Sequence, residues 1–237
     1  MIEQIKNKIH QLVQKYEHER DYYRTSRFNE TQVRNEFLDP LFEILGWDIR
    51  NISGKNTNER EVLLEESLKA DASTHSKKPD YTFRLYGERK FFLEAKKPCV
   101  DIKNDDEPAK QVRRYGYTAG LKISVLSNFE DLFIYDTTAP VEEADSRNKA
   151  LIKAYHYTDY ENVAEELLRY LGKDSVYDGS FDEVWMDITT NVEQISIDKL
   201  FLNQINERRL LLGQQIYAAM PTIEISYLGD VVQSYIN

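Results

Sequence analysis

Apolar residues recur at helical spacing over residues 2–23 (Ile5, Ile9, Leu12, Val13, Tyr16) among charged neighbours, which predicts an amphipathic helix. A second helix is predicted from a cap at Asn29 or Thr31 to Leu45, with Val33, Phe37, Leu41 and Ile44 as its apolar stripe and Gly46 as its stop. Residues 51–78 are polar and loop-like, and the pattern over residues 61–68 suits a strand or a helical turn equally. Residues 78–98 then read as two short strands joined by a turn at Gly87-Glu88. A loop over residues 101–108 leads into a helix carrying Gln111 and Tyr115, and strands follow over residues 123–127 and 132–135. A charged linker (140–148), a strand (151–156) and an amphipathic helix (160–171) come next. After Gly172 the pattern is helical, with helices over residues 179–185 and 197–220 and a short last one after Pro221. This order predicts an α/β fold: a mixed central sheet flanked by helices, followed by an all-helical segment.

The predicted hairpin is where chemistry concentrates. Side chains alternate faces along a strand, so Phe91, Leu93 and Ala95 share one face while Phe92, Glu94 and Lys96 share the other. If the turn pairs Tyr86 with Lys90, Asp80 falls opposite Lys96 and Thr82 opposite Glu94. Asp80, Glu94 and Lys96 then converge on one patch. Two close carboxylates repel unless a positive charge lies between them, and a hard divalent cation with oxygen ligands serves that purpose. A neighbouring lysine suits the handling of an activated water, so the set fits metal-assisted phosphodiester hydrolysis. The same residues also suit an exposed salt bridge on a hairpin. Glu36 lies about 100° from Phe37 on the second helix, at the border of its apolar stripe, where it is either solvated or aimed behind the sheet.

Composition narrows the class. The 237 residues are 41% hydrophobic and 30% charged, as in ordinary globular proteins, and are enough for one sizeable core. No apolar run reaches the roughly 20 residues that span a bilayer, and the N-terminus is charged and amphipathic, unlike a signal peptide. The single Cys99 excludes internal disulfides and points to the reducing cytoplasm. Four scattered histidines offer no zinc-ligand spacing. A formal net charge of −10 opposes free-standing binding to phosphate backbones, so much of any DNA affinity is expected to come from other domains or a partner.

Pro79-Asp80, a spacer and then Glu94-Ala95-Lys96 at the end of an apolar strand resemble the PD-(D/E)xK nuclease signature. The resemblance implies a Mg²⁺-dependent DNA endonuclease, with Mn²⁺ able to substitute. It assigns metal binding to Asp80, Glu94 and the Ala95 carbonyl, and service of the attacking water to Lys96. Thr31-Gln-Val-Arg-Asn-Glu-Phe-Leu-Asp-Pro-Leu-Phe-Glu-Ile-Leu-Gly-Trp-Asp48 is similar to the helix that opens restriction-enzyme nuclease domains. An acid on this helix assists the metal in related folds, which makes Glu36 the fourth candidate. Gln111-Val-Arg-Arg-Tyr115 resembles the QxxxY element of several nuclease subfamilies. It implies DNA contacts by Gln111, Tyr115, Arg113 and Arg114, although the pair Gln111 and Tyr115 also suits a helix packed on the sheet.

The stretches 175–182 and 197–205 resemble the connector that follows the nuclease in type IIG restriction–modification enzymes. The resemblance implies a restriction-endonuclease-like nuclease domain over residues 1–171 and a helical connector over 172–237. It also implies methyltransferase and target-recognition domains elsewhere in the same polypeptide. Double-stranded DNA is the expected partner, with a transient dimer for double-strand cleavage and no membrane association; the fragment alone is expected to be weakly active or inactive. Two other readings share these motifs: the N-terminal nuclease of a type I restriction motor subunit, and a non-catalytic DNA- or protein-binding module on the same fold.

Overall fold

The computed structural model describes residues 2–67 and 78–189. Asp71, which the sequence offers as a second acid ahead of the hairpin, lies outside the described residues, as do the helix expected over residues 197–220 and the rest of the connector. The chain divides into two compact units, residues 1–191 and 192–237, and all described residues belong to the first. Among them no helix is long and apolar enough to cross a membrane.

The N-terminal pattern folds as α1 (Ile2–His18) and a short α2 (Arg20–Tyr23). Asn29 then caps α3 (Glu30–Val33): its side chain accepts from the Gln32 N–H while Gln32 reaches back to the Asn29 N–H, a complete capping box. The predicted second helix continues without a break but changes pitch. Residues Arg34–Leu38 are π-helical before α4 (Asp39–Ile44) resumes the ordinary spacing. Gly46 ends it with φ of +99°, a conformation that suits glycine. The following Trp47 indole donates to the Leu171 carbonyl at 2.8 Å, locking the Leu-Gly-Trp run onto a later helix.

Six strands form one sheet in sequence order: β1 (Val62–Leu64), β2 (Tyr81–Leu85), β3 (Glu88–Ala95), β4 (Ile123–Ser127), β5 (Asp131–Asp136) and β6 (Leu151–His156). All neighbours are antiparallel except β3 and β4, which are parallel and joined through α5 (Asp106–Ala119). The sheet is therefore mixed and flanked by helices, as the order of elements predicts.

The hairpin differs from the expected register. Tyr86 and Gly87 form its two-residue loop, both with positive φ (49° and 84°), as a type I′ turn requires. Leu85 pairs with Glu88, a bulge follows between Phe83 and Arg84, and beyond it Phe83 pairs with Phe91 and Tyr81 with Leu93. Thr82 therefore faces Phe92 and not Glu94. The shift is by two residues, so every side chain keeps its face.

On one face Tyr81, Phe83, Phe91, Leu93, Ala95, Ile123 and Val125 join the main core with α1, α3, α4 and three C-terminal helices, α6 (Ala164–Leu171), α7 (Lys173–Asp178) and α8 (Ser180–Thr189). Phe181 and Trp185 of α8 are buried in it, so the described part of residues 172–189 packs within the first unit. The opposite face is covered by α5, with Phe92 against Tyr115 and Leu126 against Val112 in smaller apolar clusters. Gly116 lets α5 approach closely. A Cβ there would come within 2.4 Å of Ser124 Oγ and 2.6 Å of Thr137 Cγ2.

Candidate active site

The α5 face of β3 ends in Glu94, and Lys96 follows just beyond the strand. Lys96 Nζ donates to Glu94 Oε1 at 2.6 Å, and Gln111 Nε2 donates to the same oxygen at 2.7 Å. Gln111 Nε2 also donates to the Tyr115 hydroxyl at 2.9 Å, so one turn of α5 delivers both residues to the carboxylate. Glu94 Oε2 is buried and has no hydrogen-bond partner among the described residues. Buried carboxylate oxygens are rarely left so, and this one could accept from a ligand or a water.

Asp80 precedes β2 and meets the end of β3. Its Oδ2 accepts the Ala95 N–H at 2.8 Å, and its Oδ1 accepts from Arg34 Nη1 at 3.2 Å. Burial raises its carboxyl, against the Ala95 N–H, Arg34 and Lys96, which lower it. Burial also raises Glu94, and the charge of Asp80 adds to that; Lys96 opposes both, and the result is about 7. The two acids thus repel across a poorly solvated gap, the condition a divalent cation relieves. Glu30, in the first turn of α3, acts on Asp80 and Glu94 in the same sense through its charge.

The donor set consists of oxygens only and fits a hard cation. Among the described residues no group of three or more His, Cys, Asp or Glu side chains forms a ready-made metal cage. Two carboxylates and a main-chain carbonyl at Ala95 would hold the ion, with water and substrate oxygens completing the shell.

Comparisons with known proteins bear on the chain's relationships. Residues 27–143 match the family described as the type I restriction enzyme R protein N terminus. Over 232 residues, 98% of this chain, the sequence is 54% identical to the type II restriction enzyme and methyltransferase RM.Eco57I of Escherichia coli. The chain is a homologue of restriction enzymes. It spans 23% of the length of that relative. A solved DrdV–DNA complex is also similar, at 14% identity and a TM-score of 0.39, over 70% of this chain and 93% of that one.

In this restriction-enzyme homologue the hairpin and α5 bring Asp80, Glu94, Ala95, Lys96, Gln111 and Tyr115 together. Two expected residues are elsewhere. Glu36 lies in the π-helical segment, is 39% exposed and pairs with Lys15 at 3.2 Å. The helix acid whose charge acts on Asp80 and Glu94 is Glu30. It shares a helix face with Arg34 through the i, i+4 relation, and the Asn29 cap that fixes the helix start is the signal that identifies it. Arg113 points away from solvent: its side chain is 1% exposed and donates to Asp145 at 2.9 Å under the 140–148 segment. Arg114, one position on, is 44% exposed with only a 3.9 Å approach to Glu107. Arg34 was not foreseen from the sequence, because its link to Asp80 spans 46 residues.

Proposed function

We propose that this chain is the nuclease domain of a restriction–modification enzyme, hydrolysing DNA phosphodiester bonds with a divalent cation, Mg²⁺ or Mn²⁺, held by Asp80, Glu94 and the Ala95 carbonyl. The observation that carries the reading is the convergence of Asp80, Glu94 and Lys96 on one patch, with a buried Glu94 oxygen left without a partner among the described residues. A hard cation bound there supplies charge neutralisation for the scissile phosphate and acidifies a water.

The chain's own residues do the rest. Glu94 orients Lys96 through the 2.6 Å contact, and the ammonium, 16% exposed, faces the site as a fixed positive charge beside the attacking water. Gln111 holds Glu94 Oε1 and Tyr115 together, so α5 sets the carboxylate's orientation. Arg114 is the exposed cation of α5 free of a close ion pair, and suits a DNA phosphate. The net charge of −10 assigns most DNA affinity to target-recognition and methyltransferase domains of the same polypeptide, reached through a connector that includes residues 190–237. One site cuts one strand, so a double-strand break takes a second copy at the target.

A calorimetric Mn²⁺ titration of the chain beside Asp80→Ala and Glu94→Ala tests the site. Binding lost in both variants supports the reading. Equal heats from all three proteins would move the assignment to a non-catalytic module.

A further inference from the structure

Arg34 is shared. Its Nη1 lies 3.2 Å from Asp80 Oδ1 and also 3.2 Å from Glu65 Oε1. The guanidinium is 12% exposed and lies over the Tyr81 ring at 5.0 Å, and the Tyr81 hydroxyl is fixed by Asp39 at 2.6 Å. The guanidinium thus rests against the ring while its Nη1 addresses two carboxylates.

Those carboxylates differ. Asp80 is 17% exposed and belongs to the cation site, whereas Glu65 is 64% exposed and its carboxylate pairs with Arg34. Glu65 has φ of +51°, a costly conformation for this residue, and its N–H donates to the Asp80 carbonyl at 3.0 Å. The backbone that strains Glu65 is the backbone that brings its side chain beside Asp80.

A cation held between Asp80 and Glu94 would share Asp80 with Arg34, and its charge would repel the guanidinium. We propose that Arg34 is a positioning residue that holds Asp80 before the cation arrives and passes to Glu65 when it binds. This rests on the cation site proposed above. Glu65 is then the receiver, and it sets cation affinity through Arg34 without touching the ion. An exposed carboxylate acting by its own charge would be largely screened, so the effect depends on the guanidinium.

The experiment is Mn²⁺ titration of the full chain by calorimetry and by the loss of free-ion electron paramagnetic resonance signal, with a thermal melt for each variant. Asp80→Asn serves as the control for the site. Arg34→Gln removes the competitor and is expected to bind Mn²⁺ about tenfold more tightly. Glu65→Gln leaves Arg34 with Asp80 alone and is expected to bind several-fold more weakly, by about threefold or more. In the Arg34→Gln background, adding Glu65→Gln is expected to change nothing, which is the coupling that a handover requires. Glu65 is exposed, so its variant keeps the fold even if Arg34→Gln does not.

A wild-type affinity in Glu65→Gln, or weakening by Glu65→Gln that persists without Arg34, overturns the handover while the site itself stands. Mn²⁺ binding that survives in Asp80→Asn overturns the site reading, and the handover with it.

Discussion

Asp80 and Ala95 meet across the open end of the hairpin, the aspartate Oδ2 accepting the Ala95 N–H at 2.8 Å where a strand partner's carbonyl would otherwise serve. The side chain replaces the ladder at its last rung. Strand pairing, and not a loop, therefore fixes where the first carboxylate stands relative to Glu94 and Lys96.

Lys96→Ala is expected to lower plasmid nicking in Mg²⁺ by at least about a hundredfold, the usual scale for losing a proton-handling group. Circular dichroism should show the fold retained, since Lys96 lies beyond the last residue of β3. Cleavage at the wild-type rate by a folded variant would remove Lys96 from the mechanism.

Glu30→Gln and Glu36→Gln should separate cleanly. Glu30 acts on both site carboxyls, and its neutralisation is expected to weaken Mn²⁺ binding by about threefold to tenfold. Glu36 pairs with Lys15 on the helix surface, and its variant should titrate like the wild type. The reverse ranking would return the fourth acid to Glu36.

Arg113→Ala and Arg114→Ala are adjacent but should behave oppositely. Removing Arg113 leaves Asp145 buried without its partner and is expected to cost about 3–5 kcal/mol in urea denaturation. Arg114→Ala should leave the urea midpoint unchanged and weaken DNA binding in low salt by fluorescence anisotropy. A stable Arg113→Ala chain with reduced DNA affinity would reverse their roles.

Acid stability should depend on Glu61. Its carboxylate, 1% exposed, meets Lys55 at 2.7 Å and Lys173 at 2.8 Å, and accepts the Asp48 N–H at 3.0 Å. Burial pushes the carboxyl up, but Lys173, Lys55 and the Asp48 N–H outweigh it and leave it below the ordinary glutamate value. A carboxyl lowered by folding stabilises the native state above its unfolded pKa and stops doing so as pH falls through the folded one. The urea midpoint is thus expected to drop as pH falls below about 4.5, and less steeply in Glu61→Gln, which should be weaker at pH 7. Identical slopes for the two proteins would contradict this.

Much of the site was legible because it is local. Asp80, Glu94 and Lys96 belong to one hairpin, and period-two alternation assigned their faces correctly. The two-residue error in register came from the turn: Tyr86 adopts positive φ, which no propensity for tyrosine suggests, and the bulge at Phe83 and Arg84 leaves no sequence mark. Parity protected the outcome, since an even shift keeps faces. Glu36 entered through the resemblance, and spacing left it either solvated or aimed behind the sheet; it stands in the π-helical segment, 39% exposed and paired with Lys15. Arg113 looked like a surface cation because its partner Asp145 comes from 32 residues away, in a segment with no regular pattern.

The order in which these contacts close has its own consequence. The Asp80–Ala95 bond bridges 15 residues, whereas Arg34 reaches Asp80 across 46. Shorter loops close at lower entropic cost, so the acids are expected to be juxtaposed during folding before the guanidinium that neutralises one of them arrives. For that interval a nascent hairpin carries a concentrated negative charge, and a divalent cation in the surrounding solution is a natural companion for a chain that has not yet finished folding.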